Sequence, residues 1–197
     1  MFSELVKANR SYRKFDQSQL VSEEELITLI DLARLAPSSK NRQALKFLPI
    51  TGDQDIDVVF RQLKWAWFLK DWEGPAEHER PPAYIILLLD KQLNDKADFD
   101  AGIAAQTILL GAVERGLGGC IIRTINRYEL GKYFQLPDFM EIILVLAIGK
   151  PAQTVVLDEV DYRGNMEYWT DDEGRHHVPK RSLDELIYKP LTRNDQD

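Results

Sequence analysis

The chain has 197 residues, 44% hydrophobic and 29% charged, which is enough apolar material for one domain with a buried core and too much for an unfolded tail. A formal net charge of -7 disfavours a nucleic-acid partner, because a polyanion needs gathered positive charge. The longest apolar run, 140–149, is broken by Glu141 and falls short of the roughly 20 residues that cross a bilayer, while a polar start and a lone Cys120 fit a reducing cytoplasm rather than secretion.

In chain order, residues 22–36 read as a helix. Ser22 and Glu25 form a capping box, and Leu26, Leu29, Ile30 and Ala33 repeat at three- and four-residue steps until Pro37 stops them. A polar turn over 37–43 leads into a short strand, 45–51, that Pro49 keeps near a sheet edge. Residues 53–70 read as a second helix with Ile56, Val59, Phe60 and Leu63 on one stripe. A charged, Gly- and Pro-containing break over 73–82 follows, expected to be a flexible loop. The uninterrupted run 84–89 reads as a strand covered on both faces. The helix over 98–115 is rich in small residues that permit close packing and ends at Gly116.

After it come a strand at 120–122, a short helix at 126–134 opened by Asn126, and a second fully buried strand at 142–148. Residues 162–178 suggest a hairpin turning near Glu173 and Gly174, with a short closing helix at 182–187. There is no internal repeat or low-complexity tract, so residues 1–197 read as a single domain with a C-terminal extension from about residue 151.

Three stretches carry candidate chemistry. Arg10-Ser11-Tyr12-Arg13-Lys14 gathers three cations and a hydroxyl within an acidic chain, and guanidinium groups pair bidentately with phosphate oxygens. The alternative for this pentapeptide is an ordinary solvated terminus. The turn Pro37-Ser38-Ser39-Lys40-Asn41-Arg42-Gln43 is dense in donors and acceptors suited to a heterocycle, or is a helix stop and polar turn. Gly116-Leu117-Gly118-Gly119 is not a dinucleotide fingerprint, because a helix precedes it, a strand follows it, and residue 121 is Ile. Its glycines either bring backbone amides close to a flat ligand or serve as a helix cap and tight turn.

Elsewhere the residues point away from chemistry. His176 and His177 are adjacent in a suspected strand and face opposite ways, so they do not share a metal. Cys120 lacks a matched Cys-His motif and reads as a buried structural thiol. Trp65 and Trp67 face different directions; core packing is the expectation for each tryptophan, and the alternative is that one of the two, or Trp72, lines a pocket.

Taken together and in order, Arg10-Ser11-x-Arg13, Ala36-Pro37-Ser38-Ser39-x-Asn41-x-Gln43, Asp100-x-Gly102, Gly116-Leu117-Gly118-Gly119 and Ile148-Gly149-Lys150-Pro151 resemble the nitroreductase family of FMN-dependent oxidoreductases. The tail 177–183 resembles the C-terminal segment of its short members. The resemblance implies an α+β fold, a central mixed β-sheet flanked by helices in a three-layer α/β/α arrangement, and an intertwined homodimer with FMN at the subunit interface. It further implies that Arg10, Ser11 and Arg13 contact the phosphate or the polar edge of the flavin, with Lys180 or Arg181 adding positive charge near the phosphate. Ser38, Ser39 and Asn41 would reach in from the partner subunit, and Gly118 and Gly119 would lie near the ring system. Ala44-Leu45 stand where the family often has Pro-Trp, and Thr107 where Asn is frequent, which bears on substrate choice rather than on the cofactor.

The implied activity is a ping-pong cycle: NAD(P)H delivers hydride to flavin N5, and an electron-poor small molecule, such as a nitroaromatic or a quinone, then occupies the same space. No protein acid, nucleophile or metal is needed, because the flavin carries the hard step. Rival expectations are a flavin-storage or sensor protein without efficient turnover, and a flavin-dependent dehalogenase or dehydrogenase on the same scaffold. A non-flavin alternative is a small α/β module whose basic terminus contacts another phosphate.

Overall fold

The computed structural model describes residues 1–161 and 163–188. Two compact units divide the chain, Met1–Gln153 and Thr154–Asp197.

The first unit opens with helix α1, Phe2–Ala8, which buries none of its residues. Helix α2, Glu23–Arg34, starts at the reciprocal Ser22/Glu25 capping box and buries Leu26, Leu29 and Ala33. Strand β1, Leu45–Ile50, pairs antiparallel with β2, Ala83–Asp90, and stands at the edge of the sheet, where Pro49 has no second neighbour to serve. Between them, helix α3 covers Asp53–Arg61. Helix α4, Asp98–Glu114, leads into β3, Gly118–Ile122; helix α5, Arg127–Tyr133, then leads into β4, Met140–Gly149. The sheet order is β1-β2-β4-β3, antiparallel throughout.

Side chains alternate across this sheet. Ile85 and Leu87 of β2, with Leu144, Leu146 and Ile148 of β4, pack under α2 and α4 against Leu26, Leu29, Ala101, Ala105 and Ile108. Tyr84, Ile86 and Leu88 face the other way and meet Phe15, Val59 of α3, Leu130 of α5 and Trp65. Three layers result, and β2 is buried along its whole length, as its uninterrupted apolar run requires. Gly111 lets α2 pack closely on α4, since a Cβ there would meet the Leu32 and Leu29 side chains.

The expected helix over 53–70 stops at Arg61. Beyond it the backbone bonds outward instead of four residues back: Lys64 N–H donates to Thr124 O, Leu63 bridges Ile125, and Ala66 takes φ 39°. The reversal buries Trp65 at 8% exposure and leaves Trp67 at 81%, so the two tryptophans separate as expected although neither is helical. The break over 73–82 is held by side chains and backbone from the amino end: Lys14 Nζ donates to Glu79 Oε1 at 3.0 Å, Phe15 N–H to Glu79 O and Gln17 Nε2 to Glu77 O.

The second unit is a three-stranded sheet of mixed direction. Strand β5, Val155–Val160, runs parallel to β7, His176–Arg181, which pairs antiparallel with the two-residue β6, Trp169–Thr170. The turn sits at the expected place, with Gly174 at φ 77°; Tyr162, the expected start of the hairpin, lies outside the described residues. One short helix, α6, Leu183–Leu186, follows. Both histidines of β7 are engaged within this unit: His176 is buried, and His177 bonds Asp158 and Asp171 while stacking on Trp169 at 4.2 Å between ring centroids.

Candidate functional site

The segment that follows α1 lies against the exposed edge of β3. Ser11 forms a parallel bridge with Gly119, and Tyr12 N–H donates to Gly119 O at 3.0 Å. Arg13 N–H donates to Gln153 Oε1 at 3.1 Å, while Ala152 N–H donates to Lys14 O and Asp16 N–H to Lys150 O, so the segment also tracks the chain leaving β4. The structure thus joins two of the expected site elements, residues 10–13 and Gly118-Gly119, which are far apart in sequence.

The glycines make this contact possible. A Cβ on Gly118 would stand 2.7 Å from the Tyr12 ring and 2.8 Å from Pro151 Cγ; one on Gly119 would strike Ala147 O and stand 2.7 Å from Leu109 Cδ2. The room that both residues leave is filled by the protein itself. Gly116, at φ 74° with open space around it, is the helix cap.

The cations at this edge are individually steered. Arg10 Nη2 donates to Val6 O at 2.7 Å, which closes the end of α1, and Tyr12 Oη donates to Ala8 O at 2.9 Å. Arg10 Nε is buried with no hydrogen-bond partner, an unserved donor of the kind that ordinarily costs stability. Arg13 Nη1 lies 3.4 Å from Ser11 O. Behind them Cys120 is free and buried; burial pushes its thiol up, against the opposing pull of the Arg13 charge and a hydrogen bond with Ser11. It is the structural thiol expected. Burial likewise raises the Tyr12 hydroxyl, with Arg10 opposing.

The loop after α2 is built separately. It contains a single 3-10 turn, Ser39–Asn41, with Lys40, Asn41 and Gln43 in the left-handed region. Ser39 N–H donates to Asp100 Oδ1 at 2.9 Å, and Arg42 Nη1 to Leu93 O at 3.0 Å. A cleft of about 280 Å³ adjoins it, lined by Ala36, Ser38, Gln43, Phe47 and Asp100 among others. Gly119 touches α4 at Leu109, roughly two and a half turns from Asp100, or about 13 Å along the axis. Within one chain, Ser38, Ser39 and Asn41 therefore occupy a different region from Arg10, Ser11 and Arg13. Lys180 and Arg181 belong to β7 of the second unit, where Lys180 is exposed and Arg181 lies 3.6 Å from Glu185.

Sequence reasoning passed over three contributors. Tyr12 stood at an unspecified position of its motif, Asp100 was noted only as part of a helix opening, and Gln153 carries no local signal because its partner is 140 positions away. Among the described residues no group of three His, Cys, Asp or Glu side chains could hold a metal, and no helix is long and apolar enough to cross a membrane.

A three-layer α+β unit with a cationic segment clamped on a glycine pair defines the class. A model of the nitroreductase family matches residues 6–150. YdgI of Bacillus subtilis (strain 168), named as an NAD(P)H nitroreductase, is 41% identical over 185 residues, covering 77% of this chain and 88% of that protein. The solved structure of an FMN-dependent nitroreductase from Clostridium difficile R20291 is 25% identical, with a TM-score of 0.62 over 76% of this chain and 87% of its own. A nitroreductase family protein from Streptococcus pneumoniae TIGR4 covers 96% of this chain and 100% of its own with a TM-score of 0.67; at 19% identity this likeness is one of fold. The chain belongs to the nitroreductase family.

Proposed function

We propose that this protein is an FMN-dependent oxidoreductase that passes hydride from NAD(P)H to an electron-poor small molecule, a nitroaromatic or a quinone, in a ping-pong cycle. The observation that carries the reading is the edge formed by residues 10–13 on Gly118-Gly119, with Arg10 Nε buried and unserved beside it. A donor left without a partner inside an otherwise acidic chain suits an anionic group such as the FMN phosphate.

Bound FMN would supply the hydride chemistry itself. The chain's residues bind and orient. Arg10 offers a charged donor whose Nη2 is already fixed to Val6 O, so little rotamer freedom remains to be lost on binding. Arg13 adds positive charge at the same edge, where Ser11 bridges Gly119. Gly118 and Gly119 let the segment carrying Arg10 and Arg13 close on β3. Ser38, Ser39 and Asn41 serve the site of a second copy in a homodimer, which accounts for their separation from Arg10 within one chain. Lys180 or Arg181 contributes further positive charge. No side chain of this set moves a proton or attacks the substrate, in keeping with a role limited to position and electrostatics.

The experiment is direct. The purified protein is loaded with FMN and mixed anaerobically with NADH or NADPH while the flavin absorbance is followed. Bleaching by either donor and recovery on adding a nitroaromatic or a quinone supports the reading; a colourless protein that takes up no FMN, or a flavin that neither donor bleaches, ends it.

A further inference from the structure

The loop joining α2 to β1 takes a shape that its residues do not favour by themselves. Lys40, Asn41 and Gln43 have φ values of 52, 53 and 51°, where the Cβ of an L residue crowds the following carbonyl. Such backbone persists where the surroundings over-determine it, and it gathers at binding sites. Part of the restraint is local: Asn41 N–H and Arg42 N–H return to Ser38 O and Ser39 O, and Gln43 N–H reaches Ser38 Oγ at 3.4 Å. Two ties come from outside, Arg42 to Leu93 O and Ser39 N–H to Asp100 Oδ1 at 2.9 Å.

The second tie is the unusual one. Asp100 is 5% exposed at the start of α4, next to the buried Ala101, and its Oδ2 is buried with no partner. A buried carboxylate with one oxygen unserved is costly. Set against that cost is the hydrogen bond that its other oxygen accepts from Ser39 N–H.

We propose that Asp100 is a positioning residue for the cofactor site: through the Ser39 N–H it holds loop 38–43 in the form that presents Ser38, Ser39 and Asn41, and it sets cofactor affinity without touching the cofactor. This rests on the assignment of those three residues to FMN made above.

Lys40 and Arg42 are exposed within the loop, so trypsin reports its opening. Cleavage of a transiently opened segment follows the population of the open form. The full-length protein as purified is digested, and cleavage after Lys40 and Arg42 is followed by mass against all other sites; FMN affinity is measured separately by fluorescence titration of flavin-stripped protein. Asp100→Ala removes the acceptor and should raise loop cleavage and the FMN dissociation constant about tenfold or more, the expected consequence of losing one hydrogen bond to a charged group. Asp100→Asn keeps an acceptor oxygen for Ser39 but not the charge, so it should recover a large part of both and fall between Asp100→Ala and the wild type.

Should Asp100→Ala fail to fold, Ser39→Pro deletes the donor instead. Ser38 is already extended at φ -130° and ψ 156°, as a residue before proline must be. Loop cleavage should rise in Ser39→Pro and not in Ser39→Ala, which keeps the N–H. Wild-type cleavage in Asp100→Ala or Ser39→Pro overturns the proposal, and so does an Asp100→Asn protein as open as Asp100→Ala. A wild-type protein that takes up no FMN overturns the flavin assignment and with it the cofactor half of the proposal; the cleavage ratio still tells the two failures apart.

Discussion

Adding a single methyl group at Gly119 should loosen the site by a route that involves no ligand contact. A Cβ there would strike the backbone oxygen of Ala147 on β4, with Leu109 Cδ2 at 2.7 Å and Ile148 Cδ1 at 3.1 Å. Leu109 and Ile148 can turn; a carbonyl inside a sheet can move only with its strand. Overpacking of this kind costs about 1 to 3 kcal/mol, and the upper end applies because the rigid atom is the nearest. For a chain of this size each kcal/mol moves the thermal midpoint by about 2 to 4 °C, so Gly119→Ala should melt roughly 6 to 12 °C lower. Gly131, inside α5 with nothing within 4 Å of a built Cβ, is the control: Ala gains about 1 kcal/mol of helix propensity there, a rise of about 2 to 4 °C. Because Gly119 also accepts from Tyr12 and bridges Ser11, FMN affinity should fall in Gly119→Ala and hold in Gly131→Ala. Calorimetry and fluorescence titration of the two variants decide the matter, and a Gly119→Ala protein that melts with the wild type would refute the packing argument.

Arg10→Ala should weaken FMN binding by about 1.5 to 3 kcal/mol, the contribution of one charged hydrogen bond; unchanged affinity in an equilibrium titration would show that the phosphate lies elsewhere. Cys120 should react slowly with a thiol reagent at neutral pH and quickly in denaturant, because burial raises its thiol; equal rates would contradict its burial. His177 should titrate above the ordinary 6.5, held up first by its hydrogen bond to Asp171 and then by Asp158, against the opposing effect of desolvation. A raised folded-state value means that its stabilisation is full below the unfolded value and fades as pH rises through the folded one. Protection of the β7 amides, taken relative to the intrinsic pH dependence of exchange, should therefore fall across that step, and Asp171→Asn should shift the histidine titration back toward 6.5, as read by NMR.

What was legible in the sequence is what short spacing encodes. The Ser22 capping box, the apolar run of β2 and the Gly174 turn each fixed an element, because the restraint lies within a few residues of its partner. Helix α1 escaped because it buries nothing, so no apolar stripe marks it. Strand β5 escaped because its side chains, Val155 to Val160, alternate between half-buried and exposed without a strong pattern. The apolar stripe over 53–70 outruns the helix because Leu63 continues the α3 face, while the bonds that end it run to residues 124 and 125. At the site, the motifs around Arg10, Ser38 and Gly118 were visible as strings. Their assembly was not: Ser11 with Gly119, Ser39 with Asp100 and Arg13 with Gln153 are all meetings between distant segments that no local spacing predicts.

The strip of chain from Arg10 to Arg13 has a consequence for the sheet itself. Strand β3 would otherwise end the sheet with unsatisfied amides and carbonyls, an open template for another molecule, whereas the opposite border is protected by Pro49 and the exposed Lys46. By lying over Gly119, the strip acts as a stopper against sheet-to-sheet polymerisation. Proteolysis or trimming at the amino end should then cost solubility and cofactor together.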